Sequence, residues 1–353
     1  MNESTPKYIL VENYILQAIR NKEFTDKLPG ERILAKKLDI SYMTVRKGIT
    51  NLVDQGTLYK IPTKGTFVNK RRQRKKITHT IGYFLDSRIQ SGISNPYYSL
   101  LFNAIEKKAS KQNFSVIYFT DSNETALQKT LSKLDGVIAT CFPRLEETIQ
   151  LIKQTGPVVV LENSAADKSI PSVIIDNFNA NMESVDFICS LGHQQIGFMT
   201  SLEDSDIGND RYTGYLHGLR QNGITPDEKL LFKGDNSFES GAEGAEYFLA
   251  LENSPTAIIC ANDSMALGTM SKLNEVDLKV PDDISIIGFD DIEIASQITP
   301  SLTTVSAPVN EIAEKAFSAL HKLIQGGQPE FRHISLSAKL IIRKSCSEKK
   351  KRL

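Results

Sequence analysis

No apolar run in the 353 residues approaches the roughly 20 that a membrane-spanning helix needs, and the N-terminus is polar. Neither a membrane span nor a secretory leader is expected, and the protein reads as cytoplasmic. Cysteine is scarce: Cys141, Cys189, Cys260 and Cys346 lie far apart, without paired spacing and mostly in apolar runs. They read as free buried thiols, which excludes a disulfide framework and a cysteine metal site. The five histidines are scattered, no glycines stand in Walker spacing, and Gly241 to Gly244 is followed by no Lys-Ser pair. Asp290 and Asp291 could be imagined as a metal pair, but adjacent residues leaving a strand point in different directions. Neither a cofactor nor catalysis is expected.

A net charge of either sign is missing too, with 42 Lys and Arg against 42 Asp and Glu, yet the charge is unevenly placed. Residues 1–76 hold 17 Lys or Arg and 7 Asp or Glu, a net of +10, which leaves −10 for the rest of a neutral chain. One end is suited to neutralise phosphates and the other to stay acidic. A hydrophobic content of 40% over this length is enough for more than one core.

In the basic end, Ile33, Leu34 and Leu38 give one short helix an apolar face. Ser41 is placed to cap a second helix over 42–55, which Gly56 closes. Val45, Ile49 and Leu52 form the inner stripe of that helix, while Tyr42, Thr44, Arg46, Lys47 and Thr50 face outward as hydrogen-bonding groups suited to base edges. Residues 58–60 and 66–68 alternate as short strands of a wing with Lys64 and Gly65 at its tip, where a glycine lets backbone approach phosphate. The head offers no platform of exposed aromatics, which disfavours RNA. Arg71, Arg72, Arg74, Lys75 and Lys76 read as a linker with no apolar anchor.

The head resembles the winged helix-turn-helix domain of the GntR superfamily. Its marks are Leu28-Pro29-Gly30-Glu31-Arg32, Ser41-Tyr42-Met43-Thr44-Val45-Arg46-Lys47-Gly48-Ile49 and Thr63-Lys64-Gly65-Thr66-Phe67-Val68. The resemblance implies DNA contacts by Arg32, Thr44, Arg46 and Gly65, to which Ser41, Tyr42, Lys47 and Lys64 are added from their outward placement. Tyr42 stands where the family usually has arginine and Gly30 where it has serine, so no operator sequence carries over.

From His79 onward, short apolar runs alternate with helical segments, which argues for parallel strands joined by crossover helices. The pattern restarts near residue 179, implying two lobes with a cleft between them. Ligands bind outside the carboxyl ends of such strands, so the residues that follow each strand are the candidates. These include Asp86, Asn95, Tyr97, Tyr98, Glu162, Asn163, Asp176, Arg211, Phe238, Asn262, Asp263 and Asp290. Carboxylates, amides and an arginine grip hydroxyls, and aromatic faces cover a ring. Asp263 is expected instead to cap the helix that follows it.

Residues 79 to about 345 are similar to the effector domain of the LacI family, which shares its fold with periplasmic sugar-binding proteins. The resemblance rests on Ser94-Asn95-Pro96-Tyr97-Tyr98, Leu191-Gly192-His193, Arg211-Tyr212, Ala261-Asn262-Asp263-Ser264 and Gly288-Phe289-Asp290-Asp291, in that order. It implies that Arg211, Asn262 and Asp290 hold ligand hydroxyls and that Tyr97 and Phe238 wall the cleft; Glu162 replaces a usual aspartate. The expected fold is therefore α/β: a winged helix-turn-helix over 1–70, a linker over 71–78, and a two-lobed, periplasmic-binding-protein-like domain over 79–346 with two parallel-sheet, Rossmann-like lobes. Lobe one takes 79–177 and 306–328, lobe two 178–305 and 329–346, and a basic tail follows over 347–353.

A GntR-type head on a LacI-type sensor resembles the arabinose-repressor type. It implies a homodimeric repressor on double-stranded operator DNA, released when a small sugar, a pentose such as arabinose favoured, closes the lobes. A corepressor sign, a purine or sugar-phosphate effector and a sugar-acting enzyme are the alternatives.

Overall fold

The computed structural model describes residues 6–21, 23–54, 57–69, 77–89, 91–140, 142–200 and 206–349. The linker cations 71–76, the closing Gly56 and Cys141 lie outside them. Two compact units divide the chain, Met1–Ile77 and Thr78–Leu353.

The first unit runs α1 (Lys7–Arg20), α2 (Glu31–Leu38), α3 (Tyr42–Asp54), β1 (Leu58–Ile61) and β2 (Gly65–Val68). Ser41 starts α3 as expected, its hydroxyl accepting the Thr44 N–H at 3.2 Å. Helix α1 was not anticipated, because Pro6 precedes it with no side-chain cap and its first turn holds no acid. Its apolar stripe Val11, Ile15 and Ala18 nevertheless completes the core with Leu34, Val45, Ile49, Leu52, Leu58 and Val68. Strands β1 and β2 pair antiparallel from Leu58↔Val68 to Ile61↔Gly65. Gly65 sits at φ 116, a backbone that an L side chain rarely adopts.

The second unit begins with β3 (Thr80–Leu85), α4 (Pro96–Ser110), β4 (Ser115–Thr120), α5 (Glu124–Leu131), β5 (Gly136–Thr140), α6 (Glu146–Thr155), β6 (Val158–Leu161) and β7 (Ser172–Ile175). It continues with α7 (Asn177–Ser190), β8 (Ile196–Thr200), α8 (Asp206–Gln221), β9 (Leu231–Lys233), α9 (Phe238–Leu249), β10 (Ala257–Cys260), α10 (Asp263–Glu275), β11 (Ser285–Asp290), α11 (Glu293–Gln297) and β12 (Thr303–Ser306). The chain ends with α12 (Val309–Ile324), β13 (His333–Leu336) and β14 (Lys339–Ile341).

These strands form two six-stranded sheets, ordered β13-β7-β6-β5-β3-β4 and β14-β12-β11-β10-β8-β9. All pairs are parallel except β14 on β12. The interior strands are buried on both faces and read as unbroken apolar runs, as in Val158–Leu161 and Ala257–Cys260. The chain passes between the lobes after β7, after β12, and between β13 and β14.

The last passage corrects the expected boundary. Residues 329–346 were assigned wholly to lobe two, yet β13 pairs with β7 from His333↔Ser172 to Leu336↔Ile175 and so extends the first sheet. His333-Ile334-Ser335-Leu336 alternates polar and apolar as a half-buried strand does, but alternation does not say which of two sheets an edge strand joins. The tail is corrected as well: fraying was expected from residue 348, but Lys349 N–H donates to the Leu191 carbonyl at 2.9 Å. The Ser347 carbonyl also lies 3.0 Å from His193 Nε2.

Candidate functional sites: a basic winged face and a carboxylate-lined cleft

On α3 the buried stripe is Val45, Gly48, Ile49 and Leu52, which turns Met43, Arg46, Lys47 and Thr50 outward. Arg32, Arg46 and Lys64 are exposed, and their side chains make no hydrogen bond or ion pair among the described residues. Exposed cations of this kind are available to phosphates and guanine edges.

The other expected contacts are partly engaged. The Ser41 and Thr44 hydroxyls lie 2.8 Å apart, and the Lys47 ammonium sits 4.4 Å over the Tyr8 ring of α1. Glu31 binds Lys60 at 2.8 Å. Partial burial pushes the Glu31 carboxyl up, but hydrogen bonds from Lys60 and Tyr42 outweigh it and hold the group below its ordinary value. Tyr42 is 39% and Tyr59 42% exposed. Tyr59 stacks on Phe67 across the wing, at 5.6 Å between centroids.

Between the lobes of the second unit lies a cleft with about 870 Å³ of empty space counted out through its open mouth. Asn95, Tyr97, Tyr98, Glu162, Arg211, Asn262 and Asp290 all line it. Phe238 does not. It opens α9 with its side chain 44% exposed, and its carbonyl is pressed on α10, where a Cβ at Gly268 would meet it at 1.9 Å. The preceding turn Asp235, Asn236 and Ser237 lines the cleft instead, with Arg88, Ile89, Ser91, Phe142 and Ile207. Their positions in loops and at a helix start carry no periodic signal that would have marked them.

Strand ends and helix starts place these groups. Asn95 caps α4 by accepting the N–H groups of Tyr97 and Tyr98 at 3.1 and 3.4 Å. Ser237 caps α9, accepting from Ser240 N–H at 3.0 Å. Asn262 caps α10, accepting from Met265 N–H at 2.8 Å, and donates to the Asn236 carbonyl at 3.0 Å.

Asp263 was expected to be that cap, and this is corrected. Its carboxylate lies inside lobe two, accepting from Ile292 N–H at 2.9 Å and Thr304 Oγ1–H at 2.5 Å. The earlier residue caps because Asn262 keeps extended backbone, φ −149, while Asp263 is already helical.

Arg211 donates through Nε to Asn177 Oδ1 at 2.8 Å and through Nη1 to the Ala261 carbonyl, and its guanidinium lies 3.5 Å from the centroid of the Phe289 ring. Glu162 accepts from the Tyr97 hydroxyl at 2.8 Å. Burial pushes its carboxyl up, against the pull of Tyr97 and Arg211. Asp290 takes no hydrogen bond from the protein among the described residues. Burial drives its pKa well up, with Arg211 opposing and Asp263 and Glu162 adding. Glu162, Asn236 and Asp290 all sit at positive φ, 73, 72 and 113. Strained backbone of this kind persists where surrounding packing over-determines it and clusters at functional sites.

Of the remaining candidates, Asp86 is engaged by Arg88 and Arg144, and Asp176 caps α7 through Asn179 N–H at 3.1 Å. Cys189, Cys260 and Cys346 are free, and burial pushes their thiols up to about 11, 12 and 11. Among the described residues no group of three or more His, Cys, Asp or Glu is placed to hold a metal, and no helix is long and apolar enough to cross a membrane.

Comparison with known proteins bears on both units. Residues 7–68 match the family model for bacterial regulatory proteins of the gntR family, and residues 185–346 match that for a periplasmic binding protein-like domain. The chain is 29% identical over 322 residues to the probable HTH-type transcriptional repressor ExuR of Bacillus subtilis, covering 88% of this chain and 96% of that one. A sugar-binding transcriptional regulator of the LacI family from Escherichia coli, solved with phosphate, is 31% identical with a TM-score of 0.65, over 78% of this chain and all of that one. A LacI family regulator from Enterococcus faecium, solved with bound ribose, is 26% identical with a TM-score of 0.67, over 77% of this chain and all of that one.

Proposed function

The chain belongs to the LacI family of transcriptional regulators, with a gntR-type head, and from that premise we propose that it represses transcription by binding operator DNA as a homodimer and releases it when an uncharged carbohydrate fills the cleft. A pentose such as arabinose is the favoured ligand. The observation that carries the proposal is Asp290, a half-buried carboxyl whose side chain takes no hydrogen bond among the described residues, facing the same cavity as Glu162, Asn262 and Arg211. Such a set accepts and donates to neighbouring hydroxyls, while Tyr97 and Tyr98 cover an apolar ring face.

The charge of the cleft supports an uncharged ligand. Glu162, Asp235 and Asp290 face Arg88 and Arg211. Arg211 is already bonded to Asn177 and Ala261, and Arg88 to Asp86. At the helix starts lining the cleft, Asn95, Ser237 and Asn262 each accept an N–H group from the first turn, so part of each start is already satisfied by the protein's own oxygens. A phosphate or carboxylate entering here meets cations that are already paired.

Ligand contacts to both lobes favour the closed state, and the ligand shifts the regulator only by its differential affinity for the two states. A thermal-shift screen of the protein against pentoses, hexoses, sugar phosphates and purines tests this, since a ligand of the folded state raises the melting temperature. A shift with a pentose, followed by release of operator DNA, supports the proposal. A shift with phosphates or purines alone replaces the effector, and tighter DNA binding with the ligand reverses the sign of control.

A further inference from the structure

We infer that Met43 reads bases, packing its side chain on the C5-methyl of a thymine in the major groove; this rests on the DNA-binding function proposed above. At 66% exposure Met43 is the most exposed large hydrophobic side chain among the described residues. It stands in the first turn of α3, on the outward stripe with Arg46, Lys47 and Thr50. N-terminal residues of a recognition helix are those that reach base edges.

Its neighbours in that turn are held elsewhere. Ser41 and Thr44 bond to one another, and Tyr42 is drawn onto Glu31, which also binds Lys60. Met43 is therefore the free side chain of the turn, and it has no polar group with which to address a phosphate or a base amide. A single exposed apolar residue is ordinary on a protein surface. Here it stands in the first turn of α3, the part of a recognition helix that reaches base edges, on a head of net charge +10 over residues 1–76. The apolar feature that the major groove offers is the thymine methyl, and an unbranched thioether adapts to it.

The experiment starts from a randomised duplex pool selected on the full-length protein. Each thymine of the enriched sequence is then replaced singly by deoxyuracil, which removes only the methyl, and dissociation constants are measured for the wild type and Met43→Ala. One thymine per half-site should respond, with the wild type losing about fourfold on the uracil duplex, the factor that burying one methyl supplies. Met43→Ala should bind both duplexes equally. Reselection with Met43→Gln should move the preferred base at that position from thymine to adenine, whose N6 and N7 a glutamine amide matches. An unchanged uracil penalty in Met43→Ala, or no uracil-sensitive position, overturns the inference while leaving DNA binding intact. A pool that enriches no sequence overturns DNA binding, and this inference with it.

Discussion

The head keeps its candidate DNA-contacting cations in water, whereas the cleft buries its Arg211 and half-buries Glu162 and Asp290, whose carboxyl takes no hydrogen bond among the described residues. Arg32, Arg46 and Lys64 are exposed. Arg211, by contrast, is 7% exposed and braced by Asn177, Ala261 and Phe289. The difference follows from the partners. Phosphates arrive on a large polyanion and release counterions, so exposed cations of modest individual strength suffice. A small ligand must repay its own desolvation through few contacts, so its site has to be enclosed and preorganised. Changes in the head should therefore show in salt dependence, and changes in the cleft in ligand response and in pH dependence.

The largest effect is expected at Arg211. Truncating one partner of a buried, hydrogen-bonded charge contact in a binding site costs about 2 to 5 kcal/mol, so Arg211→Ala should weaken effector binding at least about thirtyfold by calorimetry. Operator affinity without effector should stay within about threefold of wild type. Equal loss of both activities would dissolve the distinction between the two sites.

In the head the corresponding test is Arg46→Ala. A charge-assisted contact contributes about 1.5 to 3 kcal/mol, which predicts a loss of operator affinity of roughly tenfold or more. The slope of log affinity against log salt should fall by about one if the contact is to phosphate, whereas loss of a base contact changes the preferred sequence and leaves the slope largely intact. Effector affinity should not move.

These sites were legible in the sequence to different depths. Seven of the twelve candidates that follow the strands line one cleft, because parallel strands deliver their carboxyl ends to a common edge and a sequence shows where strands stop. What a sequence does not show is how residues are engaged. Tyr42 and Lys47 look like free donors, yet one is held on Glu31 and the other over Tyr8. Met43 went unremarked as a contact because its value lies in exposure. Asn262 and Asp263 are interchangeable as caps on paper, and only the backbone at residue 262 decides between them. The lobe boundary failed at β13 because a local alternating pattern marks a strand without naming its partner, here 161 positions away.

Asp263 provides a test by pH. Burial raises its carboxyl to about 7 against the hydrogen bonds from Thr304 and Ile292, while an unfolded aspartate titrates near 4. Between those values the folded protein holds a proton that the unfolded chain has lost, so this group's contribution to stability falls as pH rises from about 4 to 7 and then levels off. His193, lowered by burial, contributes the opposite slope below its ordinary value. Asp263→Asn keeps an acceptor for Ile292 N–H and a donor for Thr304, and His193 is common to both proteins. The melting temperature of the variant relative to wild type should therefore rise between pH 5 and pH 8, by on the order of 5 °C at about 2 to 4 °C per kcal/mol. A flat difference would show that Asp263 is ionised throughout and that its bonds offset the burial.

The smallest effect is expected at Phe238, where resemblance and geometry disagree most sharply. The LacI-type pattern makes it a wall of the cleft, yet it is 44% exposed and absent from the lining. Its backbone is locked against Gly268, so the ring moves only by rotating its own side chain or with α9 as a whole. If the described arrangement is the one that binds, Phe238→Ala should change effector affinity less than about twofold, as exposed substitutions generally stay within about 0.5 kcal/mol. A loss of tenfold or more would mean that the ring swings over the ligand after it enters. The cleft would then be only partly preorganised, and its contrast with the open head would be one of degree.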